Sequence, residues 1–162
     1  MTTSMTTRID YARVAPAAVR AVYGVEQYVR QSGLEHSLLH LMKLRASYMN
    51  GCAYCVDMHT KDALAEGETV QRLLAVPVWR ETPFFSPRER AALAFTEALT
   101  DMRHGGASDE LFSATREHFS DEEIVNLAMA AVAINSWNRL AVTFHAEVGS
   151  YQPRRELAAQ LA

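Results

Sequence analysis

Twice in this chain a serine stands three residues ahead of a glutamate, just before a long stretch of helically spaced apolar residues: Ser86-Pro87-Arg88-Glu89 and Ser120-Asp121-Glu122-Glu123. In such a capping box the serine hydroxyl accepts a free backbone N–H of the first turn, and the glutamate reaches back to the N–H of the serine. Each box fixes where a helix begins. Pro87 adds a ring whose fixed φ suits the first helical position, and the acidic run 121–123 lies where the helix dipole favours negative charge. The first box predicts a helix to Arg103. The second predicts one reaching to about Val148, with an unbroken apolar run from Leu127 to Ile134.

The rest of the chain repeats this helical grammar. Pro16 opens an apolar-periodic stretch through Val29 that Gly33 stops. Glu35 to Met49 carries a broad stripe of Leu38, Leu39, Leu41, Met42 and Leu44, broken by Asn50-Gly51. A helix from about Cys52 to Glu66 follows, with Gly67 free to take the left-handed conformation that ends helices. Short helices are expected at Glu68–Val76, stopped by Pro77, and near Asp109–His118 behind the Ser108 cap. Between Pro77 and Phe85 the chain carries Trp79, Pro83, Phe84 and Phe85, too apolar for a loose loop, so this connection should pack down as a brace or lid. No window alternates with the period of two that strands require. The expected fold class is all-α: one helical domain over residues 10–150, with a flexible N-terminal tail at 1–9 and a C-terminal tail at 151–162.

A chain of 162 residues fits a single hydrophobic core. Its net charge of -3 and pI near 6.1 provide no basic field for phosphates or anionic lipid, so nucleic acid and membrane are not expected partners. The run Leu127–Ile134 is far short of the ~20 apolar residues that span a bilayer. The polar start lacks the apolar core of a secretory signal, and a cytoplasmic location is expected. In a reducing compartment two cysteines separated by two residues serve redox chemistry or metal binding better than structural cross-linking.

Those cysteines are Cys52 and Cys55, with His59 four residues further on. Residues three and four apart share a helix face, so the three side chains form one stripe. A helix N-terminus presents unpaired N–H groups that favour a thiolate over a thiol. Histidine, with a reference pKa near 6.5, is suited to taking and delivering a proton at working pH. Structural zinc is a rival reading, since Cys-x-x-Cys with a histidine supplies thiolate and imidazole ligands and His40 or His145 could complete four. Haem attachment needs histidine directly after the second cysteine, where Val56 stands, and a thioredoxin site needs a βαβ context.

The stretch from Lys43 through Cys52-Ala53-Tyr54-Cys55 to His59 and Ala63 resembles the signature of the AhpD-like alkylhydroperoxidases, within the carboxymuconolactone decarboxylase superfamily. The likeness continues through Trp79-Arg80-Glu81, Phe85 to Ala92 and Ile134 to Leu140, covering roughly residues 15 to 148. The resemblance implies an AhpD-like helical bundle that assembles as a homo-oligomer, a trimer or hexamer, and reduces a hydroperoxide with electrons from a dithiol or protein reductant. It assigns Cys55 as the attacking cysteine, Cys52 as the resolving one and His59 to a proton relay, and it calls for no cofactor and no metal. The family relay also holds a glutamate twelve positions before the first cysteine; this chain has His40 there. The superfamily's other activity, decarboxylation of a lactone acid, belongs to a branch that generally lacks the cysteine pair. A zinc or redox-sensing module built on the same residues is the non-enzymatic alternative. Tyr48 and Met49 are candidates for a pocket wall, whereas Asn135, Trp137, Asn138, Arg139, Trp79 and the Phe84-Phe85 pair read as packing residues.

Overall fold

The computed structural model describes residues 6–153, so residues 1–5 and 154–162 of the two expected tails lie outside the described residues. Among the described residues there are eight α-helices and no strand: α1 Tyr11–Val14, α2 Pro16–Arg30, α3 His36–Met49, α4 Ala53–Ala65, α5 Val70–Ala75, α6 Pro87–Thr100, α7 Asp109–Arg116 and α8 Asp121–Phe144. Both capping boxes form in full, on α6 and α8. No described helix is long and apolar enough to cross a membrane.

α3 is the axis of the bundle, packed against α4, α6 and α8. Leu38, Leu39 and Met42 enter one core with Val29, Phe95 and Leu127. Leu41 and Leu44, on its other side, join Leu73, Trp79, Phe85 and Leu93. A helix with cores on two sides has a broad apolar girdle, which is why its stripe was wide in the sequence. On α8, by contrast, Val125 and Val132 remain exposed on the outer face.

The apolar connection packs down as a brace. Val76–Glu81 forms a 3-10 helix with Trp79 buried beneath it. Glu97 of α6 ties the brace to the bundle: it accepts Trp79 Nε1 at 2.8 Å and Arg45 Nε at 2.6 Å, and pairs with Arg80 at 2.7 Å. Glu97→Ala would strand these donors, two of them largely buried. Unfolding free energy should fall by roughly 2 kcal/mol, the range for orphaned buried partners, read from the urea midpoint at unchanged slope.

Several helix ends differ from expectation. The helix expected to run to Arg103 stops at Thr100, because the Asp101 carboxylate accepts Arg103 N–H and turns the chain into a 3-10 helix over Met102–His104. α8 ends at Phe144 rather than near Val148: His145 takes a left-handed conformation at φ 53, and Ala146 N–H closes on Ala141 O at 3.0 Å. That is the geometry of a glycine stop, built with a residue that gives no such signal. The short helix before Pro77 begins later than Glu68, at Val70, because Thr69 caps it. α1, which no pattern announced, is held by Asp10 accepting Arg13 N–H.

Candidate functional site

The site is built where α3, α4 and α8 meet. The chain leaves α3 through Asn50 and Gly51, whose φ of +64 is left-handed, and Cys52 follows with an extended backbone as the N-cap of α4. Cys52 therefore stands just outside the helix instead of on its face. Its Sγ occupies the place of a capping oxygen, accepting Cys55 N–H at 3.3 Å. The residue chemistry of an N-cap, a small acceptor over free N–H groups, is thus met by sulfur.

Both cysteines are free thiols, each 1% exposed. A hydrogen bond between them affects the two thiols in opposite directions. A hydrogen bond from the Cys55 thiol, together with backbone N–H groups at the helix start and the Asn138 side chain, lowers the Cys52 thiol to about 7 against the opposing cost of burial. The same hydrogen bond, and then burial, pushes the Cys55 thiol up. Beneath the pair lies a polar buttress: Asn138 Nδ2 donates to Ser47 Oγ at 3.1 Å, Ser47 donates to Lys43 O at 2.7 Å, and Asn50 Nδ2 donates to Asn138 Oδ1 at 2.9 Å. Asn138, buried on α8 between Trp137 and Arg139, acts on the thiols rather than only on packing. The signal was the asparagine itself, since a buried amide needs partners.

A cavity of about 780 Å³ opens on this centre. Cys55, His59 and His40 line it; Cys52 does not, and lies behind Cys55. Tyr54, Met58 and Leu39 contribute wall, as does Trp137, which the sequence had assigned to packing. Tyr48 and Met49 take no part in it, a correction to the pocket expected for them. They sit at the far end of α3, where the chain turns toward Cys52. Tyr11 from α1 and Tyr151 near the C-terminus close the rim, Tyr151 donating to Asp62 at 2.6 Å.

His59 is 5% exposed, and neither ring nitrogen has a hydrogen-bond partner among the described residues. Burial, then the charge of Lys43, then His40 hold it well below its usual pKa, so the ring is neutral at pH 7. No motif announces this displacement from an ordinary histidine: it comes first from burial and then from Lys43, itself buried in the cavity wall and paired with Glu26. His40 faces His59 with ring centroids 6.4 Å apart. Its Nε2 meets Glu66 at 3.0 Å, while its Nδ1 is buried without a partner among the described residues. Among the described residues no group of three or more His, Cys, Asp or Glu is arranged to hold a metal ion.

Residues 16–98 match the model of the carboxymuconolactone decarboxylase family. The chain belongs to that family. It is 41% identical over 138 residues to the uncharacterized YdfG protein of Bacillus subtilis strain 168, covering 85% of this chain and 94% of the relative. Among solved structures it resembles an Agrobacterium tumefaciens protein of unknown function, ATU0492, ascribed to antioxidant defence as an AhpD: TM-score 0.87, 48% identity, 90% of this chain and all of that one. A peroxidase-related protein of Ralstonia eutropha JMP134 with an alkylhydroperoxidase AhpD core shares the fold at TM-score 0.77 and 24% identity, over 86% of this chain and 74% of that one. The AhpD-like fold of the family is therefore the fold of this chain.

Proposed function

We propose that the protein is a thiol peroxidase that reduces organic hydroperoxides through Cys55, Cys52 and His59. The observation that carries this reading is the asymmetry of the pair: the cysteine that faces the cavity is flanked by a neutral, unpartnered imidazole, and the cysteine behind it is held as a thiolate near neutral pH. His59 takes the Cys55 proton as the sulfur attacks the terminal peroxide oxygen. The S–O bond forms, the O–O bond breaks, and the alkoxide leaves with the relayed proton as an alcohol. The Cys52 thiolate then attacks the Cys55 sulfenic acid. Water leaves as one further proton is taken up, and a disulfide remains. A dithiol or protein reductant reopens it. Copies of the chain assemble as a homo-oligomer, the exposed Val125 and Val132 of α8 supporting this part of the reading.

Lactone decarboxylation, the other activity in the superfamily, leaves the cysteine pair without a task. The test is a single turnover. Reduced protein given one equivalent of cumene hydroperoxide should lose one peroxide per chain, lose 2 Da in intact mass, and carry one Cys52–Cys55 disulfide within the chain on peptide mapping. Unconsumed peroxide with both thiols intact would exclude the reading. So would oxidation that yields only disulfides between chains.

A further inference from the structure

We propose that Glu66 is a positioning residue for a relay of two imidazoles, fixing His40 so that its bare Nδ1 works with His59 on the oxygen of a hydroperoxide in the cavity. The inference rests on the peroxidase reading and extends it to a carboxylate that no motif in the chain singles out. Glu66 is the C-cap of α4. A carboxylate there sits against the negative end of the helix dipole, so local helix chemistry disfavours it. What holds it is across the groove: His40 Nε2 of α3 at 3.0 Å, with His36 Nδ1 at 3.9 Å.

The contact has a chemical consequence. A carboxylate can only accept, so Nε2 of His40 must carry hydrogen, and in the neutral ring Nδ1 is then a bare acceptor. Among the described residues that atom is buried and unpartnered, as are both nitrogens of His59, and the two residues line the same cavity. With ring centroids 6.4 Å apart, the rings are too distant for a direct hydrogen bond, so an oxygen serving both has to enter between them. A peroxide oxygen seated there would lie between two bases beside Cys55. His59 accepts the thiol proton as sulfur attacks; the proton passes through the bridging oxygen, and the alkoxide released by O–O cleavage departs protonated. Glu66 stabilises His40 whenever that ring carries the charge during transfer. It touches neither sulfur nor peroxide in this scheme, and acts through His40.

The test uses cumene hydroperoxide as the probe and reads Cys55 oxidation by mass in a single turnover, alongside ¹⁵N spectra of the histidines. Glu66→Ala should slow oxidation by roughly tenfold or more, as expected for loss of a group that orients an acid–base residue. His40→Gln should do the same, and the double variant should be no slower than the slower single, because Glu66 has no route except His40. In the parent the His40 ring should be pinned as the Nε2–H tautomer, and in Glu66→Ala that preference should vanish while thermal melting reports an intact fold. Glu66→Ala oxidising within about twofold of the parent overturns the inference whatever the spectra show, as do losses that simply multiply in the double variant. A parent protein inert to peroxide overturns the peroxidase reading instead. The tautomer spectra still decide in that case whether Glu66 sets His40.

Discussion

Cys52→Ser should consume one equivalent of peroxide and stop, with Cys55 accumulating as a sulfenic acid that dimedone traps; Cys55→Ser should react no faster than an ordinary thiol. The two thiols are equally buried, so exposure does not separate them. The difference lies in what each faces. Cys55 lines the cavity with His59, while Cys52 lies behind it, capping α4. Charge points the other way, since Cys52 is the thiol lowered to about 7. On a pure thiolate argument Cys52 would attack, because the thiolate is the nucleophile. A thiolate without access to peroxide is still well placed to resolve a sulfenic acid one residue pair away, and that is the role its position fits. Serine at position 55 can still donate a hydrogen bond to Cys52, so the Cys55→Ser variant keeps a low-pKa thiolate and tests access alone. Sulfenic acid at Cys52 in that variant, formed at the parent rate, would reverse the two assignments.

The fold was legible where the sequence spent residues on ends. Serine and glutamate at fixed offsets place α6 and α8 at their starts because a capping box satisfies specific N–H groups and nothing else in the chain competes for them. Ends made without a glycine or a proline were not legible. His145 adopts a left-handed stop without being glycine or asparagine, and Asp101 turns the chain by a side-chain bond that composition does not reveal. The same division holds in the site. Cys55 and His59 could be found because helical periodicity relates them within α4, and Cys52 because it stands three residues ahead of Cys55 as that helix's cap. Lys43, Glu66 and Asn138 could not, because each acts across a helix–helix contact. Glu66 lies 26 residues after His40 along the chain, yet their side chains meet at 3.0 Å. The motif carries His40 where the resemblance implies a carboxylate. In space a carboxylate is present, supplied from the other helix.

His59→Ala should slow Cys55 oxidation by about 10²–10⁴-fold, the usual cost of losing a positioned acid–base group, while both thiols remain and the disulfide still forms once oxidation has occurred. The argument turns on the protonation state of the ring. A histidine at its ordinary pKa would be half protonated near pH 6.5 and would lose its capacity as a base as pH fell through that value. Burial, aided by Lys43 and His40, holds His59 well below this, so its base form persists in mildly acidic solution. The oxidation step of the parent should therefore show no loss attributable to His59 between pH 7 and pH 6. Closure of the disulfide should behave differently. Cys52 is a thiolate above about 7 and a thiol below it, so closure should weaken as pH falls through that value, and sulfenic acid should outlive its normal lifetime at pH 6. Stopped-flow oxidation and quenched mass analysis across this range separate the two steps. An oxidation rate that falls through pH 6.5 in the parent and is flat in His59→Ala would mean that the imidazole titrates as an exposed histidine does.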